Sequence, residues 1–252
     1  MERRTLPGRL SWQRGEVIAT RAETARARSI TIALPNWVGH RAGQHVDVRL
    51  TAEDGYQVER SYSIASPPEQ EPRVTLTVER LDDGEVSPYL VDELRVGDTL
   101  ELRGPIGGYF VWEASLGGPL LLVAGGSGIV PLMAMLRQWV AVGSNVPTRL
   151  LYSSRSLEDM IYRDELERLE KGIPMFELVR TLTRVQPSGW MGHSRRINTE
   201  ILREVAWSPG QHPLMFICGP TPFVETAAAS LVSLGHDPER IKTERFGPTG
   251  EA

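Results

Sequence analysis

One segment of the 252-residue chain constrains the fold more than any other. Residues 120–124 form a continuous apolar run, residues 125–128 form a glycine-rich turn, and residues 129–140 have the length and apolar content of a helix. A strand without polar alternation is buried on both faces, which is typical of a parallel sheet covered by helices. We therefore expect an α/β unit that begins near this segment.

The second half of the chain repeats this order of strand and helix. Further strands are predicted at residues 149–153, 176–182, 214–218 and 241–245, and helices at residues 157–170, 199–205 and 222–234. Strands that alternate with helices connect most simply as parallel neighbours. The prediction is a five-stranded parallel sheet with helices on both faces.

The first half has a different pattern, with short strands separated by turn residues. Strands are predicted at residues 16–20, 29–34, 44–50, 58–65, 74–79 and 99–103. This spacing is typical of an antiparallel Greek-key β-barrel. One short helix is predicted at residues 88–94, with Ser87 as its N-cap and Pro88 in its first turn. Gly117 and Gly118 break the pattern, so the predicted domains are residues 1–115 and 116–252.

Composition excludes several classes of protein. Hydrophobic residues make up 40% of the chain and charged residues 24%, which indicates a packed core. The net charge of −4 gives no overall basic field for a nucleic acid. The apolar runs are too short to span a bilayer, and the N-terminus lacks the apolar core of a secretory signal. Because Cys218 is the only cysteine, we expect a reducing compartment and a cytoplasmic location.

The glycine-rich turn has the context of a dinucleotide-binding turn. Free N–H groups and a partial positive charge at the start of a helix attract a phosphate. The turn departs from the Gly-x-Gly-x-x-Gly pattern because Pro131 holds the position of the third glycine. Proline is tolerated there because the N–H groups of a first helical turn have no partner in the helix. A glycine-rich turn without a ligand is the alternative.

Five motifs follow one another along the chain, and their order carries more information than any one of them. The series resembles the ferredoxin–NADP reductase family from about residue 15 to the end of the chain. The motifs are Arg60-Ser61-Tyr62-Ser63-Ile64, Gly104-Pro105-Ile106-Gly107, Gly125-Gly126-Ser127-Gly128-Ile129-Val130-Pro131, Cys218-Gly219-Pro220 and Glu244-Arg245-Phe246. The resemblance implies a flavoprotein enzyme that moves hydride from NADPH to N5 of a bound FAD and then passes on single electrons.

The resemblance also implies which residues hold FAD, rather than FMN. Its candidate FAD-binding residues are Arg60, Ser61, Tyr62, Ser63, Ile64, Gly84, Val86, Ser87 and Phe246. Arginine is suited to a pyrophosphate and a tyrosine ring to the flavin. In the family pattern, the serine at position 63 hydrogen-bonds near N5. The alternatives are an amphipathic strand with a surface arginine, and a plain helix cap at Ser87.

The nucleotide site is implied by the later motifs. Its candidate residues are Gly125, Gly126, Ser127, Gly128, Ile129, Pro131, Cys218, Gly219 and Pro220. By resemblance, Cys218 lies beside the nicotinamide C4, Glu244 lies close to the nicotinamide, and Phe246 covers the flavin ring. Ser63, Cys218, Glu244 and Phe246 are thus the candidate catalytic residues. A buried cysteine and a terminal strand with a packing phenylalanine are the alternatives.

The choice between NADPH and NADH depends on a 2′-phosphate. Arg155, Thr183, Arg184 and Arg196 follow the second and third strands of the predicted parallel sheet. Arginine is suited to bidentate phosphate contacts, and two charge-assisted bonds favour NADPH by about 3–6 kcal/mol. The prediction is a preference for NADPH. A solvated arginine face is the alternative.

The expected electron acceptor is a separate protein. A [2Fe–2S] cluster of the plant type needs four cysteines, which one cysteine cannot supply. A ferredoxin, a haem protein, or an oxygenase or molybdoenzyme component is therefore the expected partner. Two alternatives stay open, namely a free-flavin, ferric or dye reductase, and an electron-transfer subunit of a larger complex. The five histidines have no metal-ligand spacing.

Overall fold

The computed structural model describes residues 10–68 and 72–247. The first part forms a six-stranded antiparallel sheet in the order β4-β3-β6-β1-β2-β5. Its strands are β1 (Gln13–Ala22), β2 (Ala27–Ala33), β3 (His45–Thr51), β4 (Gln57–Ser63), β5 (Arg73–Glu79) and β6 (Thr99–Ile106).

This sheet curls into a barrel that does not close completely. Its two outer strands, β4 and β5, approach through an isolated bridge between Ile64 and Leu76. Alternate residues point inward and form one apolar core, which includes the fully buried Val17, Ile30 and Val46. The predicted barrel is therefore confirmed as a barrel-like sheet. Its strand order is not sequential because β6 inserts between β3 and β1.

The second part forms a five-stranded parallel sheet in the order β11-β10-β7-β8-β9, as predicted. Between β7 and β10 the strand order reverses, and such a switch point opens a crevice at the carboxyl edge of a sheet. The elements are β7 (Leu120–Gly125), α1 (Ile129–Ala141), β8 (Thr148–Ser154), α2 (Arg163–Gly172), β9 (Phe176–Leu182), α3 (Thr199–Val205), β10 (Leu214–Pro220), α4 (Thr221–Ser233) and β11 (Ile241–Phe246). Within the described ranges, no helix is both long and apolar enough to cross a membrane.

The predicted helix at residues 157–170 is wrong over its first part, because α2 begins only at Arg163. The residues before it form a turn, in which the Ser156 hydroxyl donates to Asp159 Oδ2 at 2.9 Å. Tyr162 then adopts a left-handed backbone conformation with φ of 61°, although it is not glycine. Its buried hydroxyl donates to Thr77 of the antiparallel sheet, so a tertiary contact sets the start of α2.

The short predicted helix at residues 88–94 is present, but its type and its cap differ from the prediction. It is a π-helical turn over Tyr89–Glu93, and Pro88 occupies the N-cap position. The Ser87 hydroxyl instead accepts a hydrogen bond from the Leu81 backbone N–H at 3.0 Å. Ser87 therefore closes the preceding turn and does not cap a helix.

The two sheets meet along an apolar seam. Phe110, which follows the antiparallel sheet, packs edge-on against Phe216 of β10, with ring centroids 5.2 Å apart and planes at 86°. Ala42 and Ala65 from the antiparallel part lie in the same buried cluster as the apolar face of α1. The seam brings the end of β4 towards the carboxyl edge of the parallel sheet.

We predict that Gly128→Ala destabilises the fold. A Cβ atom at Gly128 would lie 2.1 Å from the carbonyl oxygen of Cys218, so either α1 or β10 must move. Overpacking of this kind costs about 1–3 kcal/mol of the free energy of unfolding. Urea unfolding measures the change. Gly172→Ala is the matched control, since no described atom lies within 4 Å of its added Cβ. Equal stability of the two variants would contradict the close contact.

Candidate functional site

Three of the predicted catalytic residues meet where the two sheets touch. Ser63 ends β4, Glu244 lies on β11, and Cys218 lies on the neighbouring β10. The Ser63 hydroxyl lies near the Glu244 carboxyl, close enough to affect its pKa. Cys218 and Glu244 are direct partners in the parallel register of β10 and β11. Residues far apart in the sequence and in different sheets thus form one cluster.

Burial determines the charge states in this cluster. It raises the pKa of the Glu244 carboxyl to about 7, although the nearby Ser63 hydroxyl acts in the opposite direction. Burial and the nearby Glu244 carboxylate raise the pKa of the Cys218 thiol well above its ordinary value. A thiol in such surroundings stays neutral, so Cys218 is not a nucleophile here. Glu244 is the group in this cluster that can exchange a proton near pH 7.

His45 belongs to the same site, although its sequence pattern indicated no role. It pairs with Ser63 in the register of β3 and β4, and with Ile106 on the other side. Burial lowers the pKa of His45, against the opposite effect of Asp47, so the imidazole is neutral at pH 7. The signal that places His45 here is the strand register, which the sequence does not specify.

The side chains of the Arg60–Ile64 motif, at the end of β4, lie in two different environments. Ser61 points to the outer face, where its hydroxyl donates to Asp47 Oδ1 at 2.7 Å. Arg103 binds the same carboxylate at 2.8 Å. Ile64 is fully buried in the core of the barrel. At Ser61 and Ile64, therefore, the backbone rather than the side chain is available to a ligand.

Arg60 and Tyr62 share the other face of this strand. The Arg60 Nη2 donates to Glu85 Oε2 at 3.3 Å, and the Tyr56 hydroxyl donates to Glu85 Oε1 at 3.3 Å. The half-buried Tyr62 packs on the barrel core, and this burial raises its pKa to about 12 against the effect of Arg60. Glu85 and Tyr56 were not among the predicted residues.

The residues on this face fit an FAD. Glu85 lies between Gly84 and Val86, so its contact with Arg60 brings the guanidinium next to the segment predicted to hold the pyrophosphate. A bound pyrophosphate would compete with the Glu85 carboxylate for the guanidinium. The side chains of Val86 and Ser87 are both buried, so this segment offers its backbone groups to a ligand.

The glycine-rich turn fits a dinucleotide. Gly126 has φ of +55°, and no described atom lies within 4 Å of the position that a Cβ would take. At Gly128, by contrast, a Cβ would have no room, because it would lie 2.1 Å from the Cys218 carbonyl oxygen. The turn is a short 3-10 segment that leads into the buried Ile129 and Pro131 of α1. The outer side of the turn is therefore open to a ligand, whereas its inner side packs directly against β10.

Phe223 fixes the positions of two further glycines near this turn. Added Cβ atoms at Gly125 and Gly219 would lie 3.0 Å and 2.8 Å from its ring. The carboxyl ends of β7 and β10 are therefore packed against the first turn of α4. Pro220, by contrast, is exposed at the edge of the sheet.

The candidate phosphate-binding arginines lie at the carboxyl ends of β8 and β9. The Thr183 N–H donates to the Ser154 carbonyl at 2.9 Å, and the Arg184 N–H to the Arg155 carbonyl at 2.9 Å, which brings the two segments together. Arg155, Arg184 and Arg196 are exposed and form no ion pair with a described residue. Arg195, which precedes Arg196, is instead paired with Glu200 at 3.2 Å.

Phe246 lies at the end of β11, opposite Pro220 in the register, and its side chain is 37% exposed. The preceding Arg245 binds Glu225 of α4 at 2.6 Å. An exposed aromatic ring beside the Ser63–Glu244–Cys218 cluster is free to cover a flat ligand.

The sequence of each half matches a known domain family. Residues 16–111 match the oxidoreductase FAD-binding domain, and residues 122–229 match the oxidoreductase NAD-binding domain. Ferredoxin–NADP reductase B from Sorangium cellulosum is 40% identical over 182 residues, which cover 71% of this chain and 73% of that protein. The chain belongs to the ferredoxin–NADP reductase-like family. Its resemblance to FAD- and NAD(P)-binding oxidoreductases of this family is thereby confirmed.

Two further relatives of this reductase-like chain extend the comparison. The glycine betaine monooxygenase reductase subunit of Chromohalobacter salexigens is 35% identical over 211 residues, covering 83% of this chain and 56% of that protein. This chain thus spans little more than half the length of that relative. The flavohaem-like FAD/NAD-binding domain of Vibrio cholerae nitric oxide dioxygenase has the same fold, with a TM-score of 0.84 at 23% identity, covering 94% of this chain and 99% of that one.

We predict that Glu244→Gln removes a pH dependence of stability. Below about pH 4.5 the carboxyl is protonated in both the folded and the unfolded state. As the pH rises from its ordinary pKa of 4.5 to about 7, the unfolded state loses the proton first, so the free energy of unfolding falls. At about 1.4 kcal/mol per pH unit, this decrease is about 3 kcal/mol.

Urea unfolding of the flavin-free protein at pH 4.5 and pH 8 measures this decrease for each variant. Glu244→Gln is expected to match the wild type at the lower pH and to exceed it at the higher pH. Glu53→Gln changes an exposed carboxyl on the barrel and serves as the control, which should follow the wild-type curve. If the free energy of unfolding changed equally between the two pH values in the wild type and in Glu244→Gln, the raised pKa of the Glu244 carboxyl would be contradicted.

Proposed function

We propose that this chain is an NADPH-dependent FAD reductase that delivers electrons to a separate acceptor protein. The observation that carries this proposal is the cluster of Ser63, Glu244 and Cys218. One member comes from the antiparallel sheet and two come from the parallel sheet. A site assembled from two nucleotide-binding units is suited to a reaction between two bound cofactors.

The chain's own residues supply binding, orientation and a dry environment. When bound, FAD supplies the ability to take up a hydride and to release electrons one at a time. Ser63 presents its hydroxyl at the seam, next to Glu244. The neutral Cys218 offers an apolar contact, and the half-buried Glu244 is able to hold or release a proton near pH 7.

Arg60, Tyr62 and the segment Gly84–Ser87 would hold FAD, together with the backbone of Ser61, Ser63 and Ile64. Gly125 to Gly128 would approach the pyrophosphate of the dinucleotide, and Gly219 and Pro220 would border the nicotinamide. The exposed Phe246 would lie over the flavin ring. Stacking of that kind contributes about 0.5–1.5 kcal/mol beyond area burial, so a nicotinamide ring is able to displace it. This arrangement corresponds to proposed domains over residues 1–115 and 116–252.

Two relatives of this chain suggest which kind of protein accepts the electrons. The glycine betaine monooxygenase relative is described as a reductase subunit, and a 3-ketosteroid-9-alpha-monooxygenase relative as a ferredoxin reductase component. We propose that this chain likewise serves an oxygenase component or another iron–sulfur or haem protein, in the cytoplasm. A free-flavin, ferric or dye reductase, and a subunit of a larger complex, are the competing functions.

The purified protein is expected to be yellow and to release FAD on denaturation. NADPH is expected to bleach the flavin absorption, and reoxidation by ferricyanide should proceed catalytically. A protein that folds but takes up no FAD would contradict the proposal. Release of FMN in place of FAD would contradict the identity of the cofactor. Fast turnover with free riboflavin, together with failure to reduce any one-electron protein acceptor, would favour the competing free-flavin reductase.

We predict that Arg184→Ala reduces the preference for NADPH. Its exposed guanidinium at the end of β9 has no described ion-pair partner, so it is available to the 2′-phosphate. Loss of one charge-assisted bond should lower the ratio of kcat/KM for NADPH to kcat/KM for NADH roughly 10- to 100-fold. Arg203→Ala, an exposed position on α3, is the control and should leave the ratio unchanged. If Arg184→Ala kept the wild-type ratio, this assignment would be wrong.

A further inference from the structure

We propose that Arg137 on α1 is a positioning residue, which holds the two domains in the alignment that brings Ser63 to Glu244 and Cys218. The inference rests on the proposed function, because the aligned cluster is the place where hydride transfer is expected. Arg137 touches none of the three residues. It acts through the backbone that follows Ser63.

The guanidinium of Arg137 bonds to both domains at once. Its Nη1 donates to the Ala65 carbonyl at 2.7 Å, and Ala65 follows Ser63 and Ile64 directly in the chain. Its Nε and Nη2 donate to the two carboxylate oxygens of Glu165 on α2, at 2.9 Å and 2.7 Å. A bidentate pair of this kind fixes the plane of the guanidinium and therefore the direction of the bond to Ala65.

Tyr162 adds a second connection at the same place. The Arg137 guanidinium lies over its ring, 4.8 Å from the centroid. The Tyr162 hydroxyl donates to Thr77 Oγ1 on β5 at 2.5 Å. The same strand holds Ala65 through a bond from the Ala65 N–H to the Thr75 carbonyl at 2.7 Å. The exit of the Ser63 strand is thus tied to α1 and α2 by two independent routes.

The backbone at Tyr162 supports a specific role for this contact. A left-handed conformation of a bulky residue costs on the order of 1–2 kcal/mol and persists only where the surroundings enforce it. Here φ is 61°, and the side chain is buried with its ring beneath Arg137. We call the group of Arg137, Glu165, Tyr162, Thr77 and Ala65 the interdomain latch.

Two open grooves border the latch. A groove of about 470 Å³ is lined by Arg137, Glu165 and the hydroxyl-bearing face of β1, β2 and β5. A second groove of about 360 Å³ lies beyond it, and Glu165 lines that one also. The latch is therefore bordered by open space and not enclosed in a packed core.

Two of the other contacts across the seam constrain the orientation less. The Tyr109 hydroxyl donates to the Ile241 carbonyl at 3.2 Å, but this side chain is 59% exposed. Phe110 packs on Phe216 through an apolar edge contact, which is not directional. These contacts hold the domains together, whereas the latch sets their relative angle.

The chain offers a matched control for a purely stabilising arginine. Arg149 on β8 donates to Glu177 at 2.6 Å and to the Val205 carbonyl at 3.0 Å, and its guanidinium lies 3.9 Å from the Trp207 ring centroid. It therefore binds the same three kinds of partner as Arg137. All of its partners, however, lie within the parallel-sheet domain.

Stopped-flow reduction of the bound FAD by NADPH, compared between Arg137→Met and Arg149→Met holoenzymes, tests the proposal. Misalignment by about 1 Å costs about 100-fold in rate, so Arg137→Met should reduce its flavin about 100-fold more slowly, with unchanged FAD content and unchanged Kd for NADPH. Arg149→Met should lower Tm by a similar amount and keep the wild-type rate.

The single cysteine supplies a readout that does not depend on activity. Cys218 is buried in the cluster at the seam, so its reaction with a thiol reagent reports on opening there. Arg137→Met should react faster than the wild type, by about tenfold if the opened state gains about 1.4 kcal/mol. Arg149→Met should react at the wild-type rate.

A wild-type flavin reduction rate in Arg137→Met, or an equal decrease in Arg149→Met, would overturn the proposal. Should Arg137→Met not fold, Arg137→Lys carries the test. A lysine keeps the charge beside Glu165 but cannot form both the bidentate pair and the Ala65 bond. It should give an intermediate rate, and a wild-type rate would overturn the latch. If the wild-type protein itself fails to bleach with NADPH, the proposed function fails, while the thiol reaction still decides the role of Arg137.

Discussion

The contact between Ser63 and Glu244 across the seam is the constraint on which the candidate site depends. It joins the last residue of a barrel strand to a half-buried carboxylate on the edge strand of a parallel sheet. The contact exists only when both domains are folded and face each other, so the chemistry of the site depends on the geometry of the seam.

Around this contact, some groups are closely packed and others are exposed to solvent. The closely packed groups are the buried Gly128, against the Cys218 carbonyl, and the half-buried Arg137, between Glu165 and Ala65. The accessible groups are Phe246 and the arginines at the ends of β8 and β9. A ligand can therefore rearrange the exposed ring and guanidinium groups at little energetic cost, while the alignment of the buried cluster is preserved. In the proposed site, this separation would allow a large dinucleotide to enter and still be oriented.

Much of the fold was predictable because periodicity reports directly on burial. The uniformly apolar β7 and the glycine-rich turn after it predict a parallel sheet, whereas the strand order that places the crevice between β7 and β10 is known from the structure. Ser63, Cys218 and Glu244 were identified through the order of motifs rather than through any local pattern. Their meeting could not be derived from either half alone, because it depends on how the two sheets are joined.

Most of the features that escaped prediction depend on tertiary contacts. The start of α2 is displaced because the Tyr162 hydroxyl reaches Thr77, and His45 enters the site through the register of two strands. Ser87 lacks its predicted capping role because a turn nearby uses its hydroxyl. Arg137 is visible in the sequence as the charged residue of a largely apolar helix, but its partners are distant in the chain. Burial explains why such a charge requires the carboxylate of Glu165 beside it.

The contact between Gly128 and Cys218 bears on how this scaffold can be recombined. The dinucleotide turn and the tip of β10 touch through main-chain atoms, with no side chain in between to absorb a mismatch. A graft that exchanges the turn for one from another reductase must therefore carry the matching end of β10 with it. The two segments are separate in sequence, and Phe223 of α4 packs against the glycines of both.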